Sequence, residues 1–159
     1  VVLSLALVGI SSATQVRIVG LQRDDRGRWT REEVPRSAAL GRITVVDVEG
    51  SVAFSSVGNL FHRLPHPADP ARPTFDLGRG TVILRMNGHV RTNVTFLLAL
   101  RDYADELDRA GISVMLVGLS PKAAAQVEGA ELDPPVVVVP ESHRLGGALD
   151  TAYALASGV

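Results

Sequence analysis

The chain has 159 residues, a length that suggests one domain with a single buried core. Apolar residues make up 46% and charged residues 21%, which excludes a disordered chain. Sixteen Lys and Arg residues against seventeen Asp and Glu residues give a formal net charge of -1, which argues against a nucleic-acid partner. The absence of Cys excludes a disulfide scaffold, a thiol nucleophile and Cys-ligated metal sites.

The first sixteen residues carry no charged side chain, and Arg-rich sequence follows them at once. As a helix they would span about 24 Å, which is too short for a membrane core of about 30 Å but sufficient for the last part of a crossing. The Arg residues that follow favour the cytoplasmic side of a membrane. We therefore predict that residues 1–14 are the end of a truncated transmembrane helix. A buried N-terminal helix or strand of a soluble protein is the alternative.

The segment that follows, residues 15–41, is predicted to be a connector with a candidate β-hairpin. Two β-branched runs, residues 15–23 and 28–34, flank an Asp-Asp-Arg-Gly turn sequence. Residues 35–41 are predicted to be a linker without regular structure. The main domain is then expected to occupy residues 42–159.

From residue 42 onward, apolar runs and amphipathic segments alternate. Strands are predicted at residues 42–48, 81–86, 112–119 and 136–139, and helices at 51–64, 93–110, 120–127 and 141–156. Residues 65–80 contain four prolines and are predicted to form a long loop. The strands are continuous apolar runs, as expected when both faces of a sheet are covered. This order predicts an α/β fold with a mostly parallel sheet.

The residue types that carry catalysis and metal binding do not occur in the required patterns. Ser120 follows an apolar strand as in a nucleophile elbow, but Lys122 stands where that motif needs Gly, so Ser120 is predicted to cap a helix. The chain contains no glycine-rich phosphate-binding fingerprint. Pro65 separates His62 from His66, so these two cannot share a regular helix face as paired metal ligands. We predict no enzymatic activity, no cofactor and no metal site.

The start of the predicted helix 93–110 is the candidate functional site. Thr92, Asn93, Val94 and Thr95 lie there beside free backbone N–H groups and the positive end of the helix dipole. Such a place suits a phosphate or another anion, and we interpret these residues as a candidate phospho-acceptor or anion site. The alternative is that Thr92 or Asn93 caps the helix and Thr95 faces solvent.

Residues 81–132 contain, in order, the apolar strand 82–86, an Asn-Gly turn, the Asn-Val-Thr-Phe segment, a helix ending near Gly111, an apolar strand ending in Gly118 and the pair Ser120-Pro121. In this order and spacing the run resembles a STAS domain, the family named for sulphate transporters and anti-sigma-factor antagonists. Residues 42–65 are similar to the opening strand and first helix of that family. The resemblance implies a STAS-like α/β fold with a mostly parallel sheet of four to five strands and about four helices.

Residues 1–41 resemble the last membrane helix and connector of a SulP-type anion permease. The resemblance therefore implies a non-catalytic regulatory and interaction domain of a sulphate or other anion transporter, at the cytoplasmic face of the cell membrane. The implied partner is the transmembrane domain of the same transporter. A second copy of the chain, a nucleotide and a regulatory protein are further candidate partners.

The chain departs from the family signature at the candidate site. Asn93 replaces the usual Asp, Val94 replaces a hydroxyl residue and Phe96 replaces Gly, so Thr95 is the only hydroxyl left in the segment. This departure weakens the phosphorylation hypothesis and favours an interaction role. Two alternatives remain: a free-standing partner-switch protein of the anti-sigma-antagonist type, and a small α/β nucleotide-binding or enzymatic domain. The latter would need a polar pocket with convergent groups.

Overall fold

The computed structural model describes residues 16–68, 78–87, 90–141 and 147–158. The strands in these ranges are β1 (Arg17–Arg23), β2 (Trp29–Glu32), β3 (Ser37–Ala38), β4 (Ile43–Glu49), β5 (His66–Pro67), β6 (Gly80–Asn87), β7 (Ile112–Val117) and β8 (Val137–Val139). The helices are α1 (Phe54–Arg63), α2 (Val94–Arg109), α3 (Pro121–Gly129) and α4 (Gly147–Ser157). The predicted membrane segment, residues 1–14, lies outside the described residues.

The main sheet has six strands in the order β2-β1-β4-β6-β7-β8. Strands β4, β6, β7 and β8 are parallel, while β1 is antiparallel to both β4 and β2. The mostly parallel α/β fold predicted from the sequence is confirmed, although the sheet has more strands than the four to five expected. The difference arises because the predicted hairpin joins the sheet edge, with β1 paired along β4 from Arg17 opposite Glu49 to Leu21 opposite Val45.

The central strands are mostly apolar because helices cover both of their faces. On one face, Val46 and Leu84 pack in a core cluster that includes side chains from α1, α2 and α3. On the other face, Val45 and Ile83 pack in a second cluster with side chains from α4. The chain steps across the sheet in one direction from β4 to β8, so right-handed crossovers place the three connecting helices on the same face.

Several predicted segments differ from the structure at their ends. Helix α1 begins at Phe54 rather than at residue 51, because Ala53 is extended and its backbone N–H is bonded to the Ser56 side chain. The linker predicted at residues 35–41 contains β3, and the loop predicted at 65–80 contains β5, which pairs with β3 in parallel. Two-residue strands carry no periodic pattern, so the sequence could not indicate them. The described part of the last helix begins at Gly147.

Helix α4 is fastened to the hairpin by a cluster of aromatic and charged side chains. The Trp29 indole N–H donates to Asp150 Oδ1 at 2.9 Å, and the Trp29 and Tyr153 rings meet edge to face at 5.4 Å. The Arg23 guanidinium lies 5.9 Å from the centre of the Trp29 ring and 5.3 Å from that of Tyr153. Cation–π contacts at such distances are attractive. These contacts connect the edge hairpin to the helix that covers the second face.

Helix α2 is long and strongly amphipathic, and it forms the centre of the first core cluster. Its side chains Phe96, Leu100 and Leu107 are at most 1% exposed. Gly111 follows the helix with φ at +78°, the left-handed conformation expected of a glycine that ends a helix. The helix predicted at residues 93–110 is thus confirmed to within one residue at each end.

Replacing Leu100 with Ala should lower the free energy of unfolding by about 2–5 kcal/mol, because it opens a cavity in a fully buried site. The matched control is Leu98→Ala on the same helix, where the side chain is 46% exposed and the loss should stay under about 1 kcal/mol. Urea melts of the two variants measure the difference. Equal losses would contradict the described helix register.

Candidate functional site

The candidate site at the start of α2 is held in place by its capping residue. Asn93 is extended, and its Oδ1 accepts a hydrogen bond from the Phe96 backbone N–H at 3.0 Å. This confirms the alternative in which Asn93 caps the helix, and the cap satisfies one of the free N–H groups of the first turn. The first turn contains no acidic side chain, so the positive end of the helix dipole is left without a counter-charge from the helix itself.

The side chain of Thr92 points into the protein rather than toward the surface. Its side chain is 9% exposed, and its hydroxyl donates to Gln126 Oε1 on α3. The bond joins the loop before α2 to the neighbouring helix. Thr92 therefore contributes to the support of the site and presents no free hydroxyl at its surface.

The two large apolar side chains that reach the surface here lie one helical turn apart. Val94 is 71% exposed and Leu98, one turn further along the helix, is 46% exposed. Arg91, just before the helix, is exposed, and Thr95, which follows Val94, is half-buried. We call these four residues the apical surface. Residues four apart lie on the same side of a helix, so Val94 and Leu98 form one apolar patch.

The apical surface stands at the end of the sheet where the parallel strands finish. Val90 forms a bridge with Val52, and the Arg91 backbone N–H donates to the Val52 carbonyl at 3.1 Å. Val52 is fully buried, so the loop before α2 rests on the loop after β4. At the same sheet end, Gly118 follows β7 with φ at +80° and approaches the Met86 carbonyl so closely that a Cβ would lie 2.8 Å from it. Only glycine fits that position.

The other sequence candidates have structural roles. The Ser120 hydroxyl accepts a hydrogen bond from the Ala123 backbone N–H at 3.2 Å, which confirms its assignment as a helix cap. His66 Nδ1 lies 3.0 Å from Glu106 Oε1, while His62 is exposed. Within the described ranges, no group of three or more His, Cys, Asp and Glu side chains is arranged to hold a metal ion. His89 and His143 lie outside the described residues.

The sheet has a second polar site, at Asp47, that was not predicted from the sequence. Asp47 lies in the middle of the apolar strand β4, and its side chain is only 3% exposed. Its Oδ1 has no hydrogen-bond partner among the described residues, and its Oδ2 lies 3.7 Å from Arg85 Nη1. The one signal in the sequence was a single acidic residue within a run of valines and isoleucine.

Asp47 lines a cavity of about 410 Å³ on the face of the sheet covered by α4. Arg85 and Asn87 from β6, Arg31 from β2 and Glu141 from the segment after β8 contribute its polar groups. The apolar remainder of the wall is lined by Leu21, Trp29, Val117, Ala148 and Leu149. The cavity therefore brings charges of both signs to the carboxyl ends of β4 and β6.

Burial is the dominant influence on Asp47 and raises the pKa of its carboxyl group above the ordinary value of 3.8. The Arg85 guanidinium opposes this rise, the Glu49 carboxylate adds to it, and Asn87 and Arg31 oppose it. The net direction of the pKa shift is upward because desolvation by burial outweighs the attraction of Arg85 and the Asn87 interaction. The charged form of Asp47 is therefore costly in the folded chain.

The sequence matches no protein-family model and no curated protein. Solved structures with a similar fold include two of the SLC26A9 protein. A structure of SLC26A9 matches 96% of this chain with a TM-score of 0.61 and 17% sequence identity, using 27% of its own length. The murine Slc26a9 anion transporter in its inward-facing state matches 94% of the chain with a TM-score of 0.58 and 16% identity, using 24% of its length.

The chain shares its fold with part of an anion transporter. At such low identity the likeness concerns the fold, and it agrees with the STAS resemblance inferred from the sequence. The chain spans about a quarter of the length of the two transporter chains. No helix within the described residues is long and apolar enough to cross a membrane.

Thr95→Asp should cost well under about 1 kcal/mol of unfolding free energy, because negative charge in the first turn of a helix is favoured by about 0.3–1 kcal/mol. Phe96→Ala, at a side chain that is 1% exposed, should cost about 3–5 kcal/mol. A pair of urea melts compares them. Greater damage from Thr95→Asp would show that a charge, and hence a phosphate, does not fit at this position.

Asp47→Asn should raise the free energy of unfolding by about 1 kcal/mol at pH 7, because it removes a buried charge whose Oδ1 has no donor among the described residues. The native state holds the Asp47 proton more tightly than the unfolded chain, so the parent loses stability relative to the variant as pH rises above 3.8. The stability advantage of the variant over the parent should accordingly become smaller toward low pH.

The control for this comparison is Asp102→Asn, at a carboxylate whose side chain is 70% exposed. Urea melts between acidic and neutral pH measure both variants against the parent. A variant at Asp47 that is less stable than the parent at pH 7 would mean that attraction to Arg85 outweighs the cost of burial.

Proposed function

We propose that the chain is a non-catalytic interaction and regulatory domain of a SulP-type transporter of sulphate or another anion, at the cytoplasmic face of the cell membrane. The observation that carries this proposal is the fold match over 96% of the chain to a quarter of an SLC26A9 chain. The murine Slc26a9 of the second structure is named an anion transporter. In this proposal residues 1–14 end a transmembrane helix, residues 15–41 connect it to the STAS domain of residues 42–159, and the connector's strands β1 and β2 extend the sheet of that domain.

The sheet topology supports a role in contact with the transmembrane part of the same protein. Arg17, the first residue of β1, pairs with Glu49 at the carboxyl end of β4. The apical surface stands at the same end of the sheet, beside the bridge between Val52 and Val90. A chain that enters the domain from a membrane segment would therefore arrive on the side of the apical surface.

The character of the apical surface supports contact rather than chemistry. Exposed Val94 and Leu98 side chains gain by burial against another apolar surface, and Arg91 offers a charge at the margin. The hydroxyl groups nearby are otherwise engaged or half-buried, since Thr92 is bonded to Gln126. We propose that Thr95 is the position where added negative charge would modulate this contact, because it lies at the positive end of α2.

The double change Val94→Asp and Leu98→Asp should lower anion flux several-fold when the complete transporter is reconstituted in liposomes, because charged groups would be placed in an apolar contact. The control is Leu155→Asp on α4, where the side chain is 57% exposed and lies on another helix. That variant should leave the flux unchanged. Urea melts of the 159-residue chain should show that both variants remain folded.

Two results would contradict the proposal. Unchanged flux in the double variant would remove the contact role of the apical surface. A gene whose product has no apolar spans before residue 1 would remove the transporter role, and the free-standing partner-switch alternative would replace it.

A further inference from the structure

The cavity at Asp47 brings together a buried carboxylate oxygen that has no hydrogen-bond partner among the described residues and an Arg85 guanidinium that lies too far from this carboxylate for a hydrogen bond. We propose that it binds a small zwitterion of the α-amino acid class, with the ammonium group on Asp47 and the carboxylate on Arg85. This inference is independent of the proposed transport role, because it concerns the face of the sheet beneath α4 and not the apical surface.

The acceptor is the Asp47 carboxylate. Its side chain is 3% exposed and lines the cavity, yet Oδ1 has no hydrogen-bond partner within the part of the chain that the structure describes. A buried acceptor without a donor costs free energy, and such groups in folded proteins nearly always have a partner. A ligand that brings an N–H donor into the cavity would supply the missing partner.

The donor is the Arg85 guanidinium. Its Nη1 lies 3.7 Å from Asp47 Oδ2, which is attractive electrostatically but too long for a hydrogen bond. Its side chain is 43% exposed, so it can be reached from the cavity without moving the sheet. The neighbouring Arg31 is different, because its guanidinium is already paired with Glu49. Arg85 is therefore the cation best placed to receive a carboxylate, for which the guanidinium fork is well suited.

The two groups together select the chemistry of the ligand. A simple anion would be attracted by Arg85 but repelled by the negative charge of Asp47. A simple cation would be attracted by Asp47 but repelled by the positive charge of Arg85. In an α-amino acid the ammonium and carboxylate groups are attached to the same carbon, so their separation matches a carboxylate and a guanidinium that lie 3.7 Å apart. A cavity of about 410 Å³ lies at the small end of the range for ligand sites and suits a molecule of this size.

The test is isothermal titration of the 159-residue chain at pH 7 and low salt with each of the standard amino acids. Acetate and ethylammonium serve as probes that carry only one of the two charges. At least one amino acid should bind, and both single-charge probes should bind about tenfold more weakly or not at all. Asp47→Asn and Arg85→Gln should each weaken the binding of the amino acid by about tenfold or more.

The matched controls are Asp102→Asn and Arg101→Gln, which make the same changes at an exposed pair on α2 and should leave binding unchanged. Proton NMR spectra of all four variants establish that each is folded, and Arg85→Gln tests the proposal if Asp47→Asn does not fold. Flat titrations with every amino acid would overturn the proposal and would mean that water alone fills the cavity. Binding of acetate as tight as that of an amino acid, or binding that survives both cavity variants, would overturn it as well.

Discussion

The fold depends on the parallel ladder formed by β4, β6 and β7. These strands lie in the interior of the sheet, so their backbone groups are satisfied by the strands on either side, and their side chains require cover on both faces. Because the connections step in one direction across the sheet, α1, α2 and α3 all occupy one face. The other face depends on α4 and on the hairpin that extends the sheet beyond β4. This asymmetry leaves one end of the second face for a polar cavity.

The sequence allowed the central strands and α2 to be predicted because their patterns are long and self-consistent. A run such as residues 112–117 is apolar at almost every position, and the stripe from Phe96 to Leu107 repeats at the helical period. The docking of β1 against β4 was not visible, since a hairpin pattern specifies its own two strands but not the third strand that either of them joins. The strands β3 and β5 were missed because two residues cannot establish a period.

At the candidate site, too, local features could be predicted from the sequence and long-range contacts could not. The caps at Asn93 and Ser120 could be predicted because residue type and position along the chain determine them locally. The bond from Thr92 to Gln126 joins residues 34 positions apart, and nothing in either local sequence indicates the other. Asp47 was recognisable as an acidic residue in an apolar strand, but the surroundings of its carboxylate depend on how the neighbouring strand β6 places Arg85 and Asn87.

The Trp29, Asp150 and Arg23 cluster has a mechanical consequence. Strand β1 begins at the carboxyl end of β4, and its last residue, Arg23, belongs to this cluster on α4. A displacement applied at Arg17 along β1 would therefore load its ladder with β4 in shear, so that many hydrogen bonds resist together. Part of the load would pass through the Trp29, Asp150 and Arg23 contacts into α4.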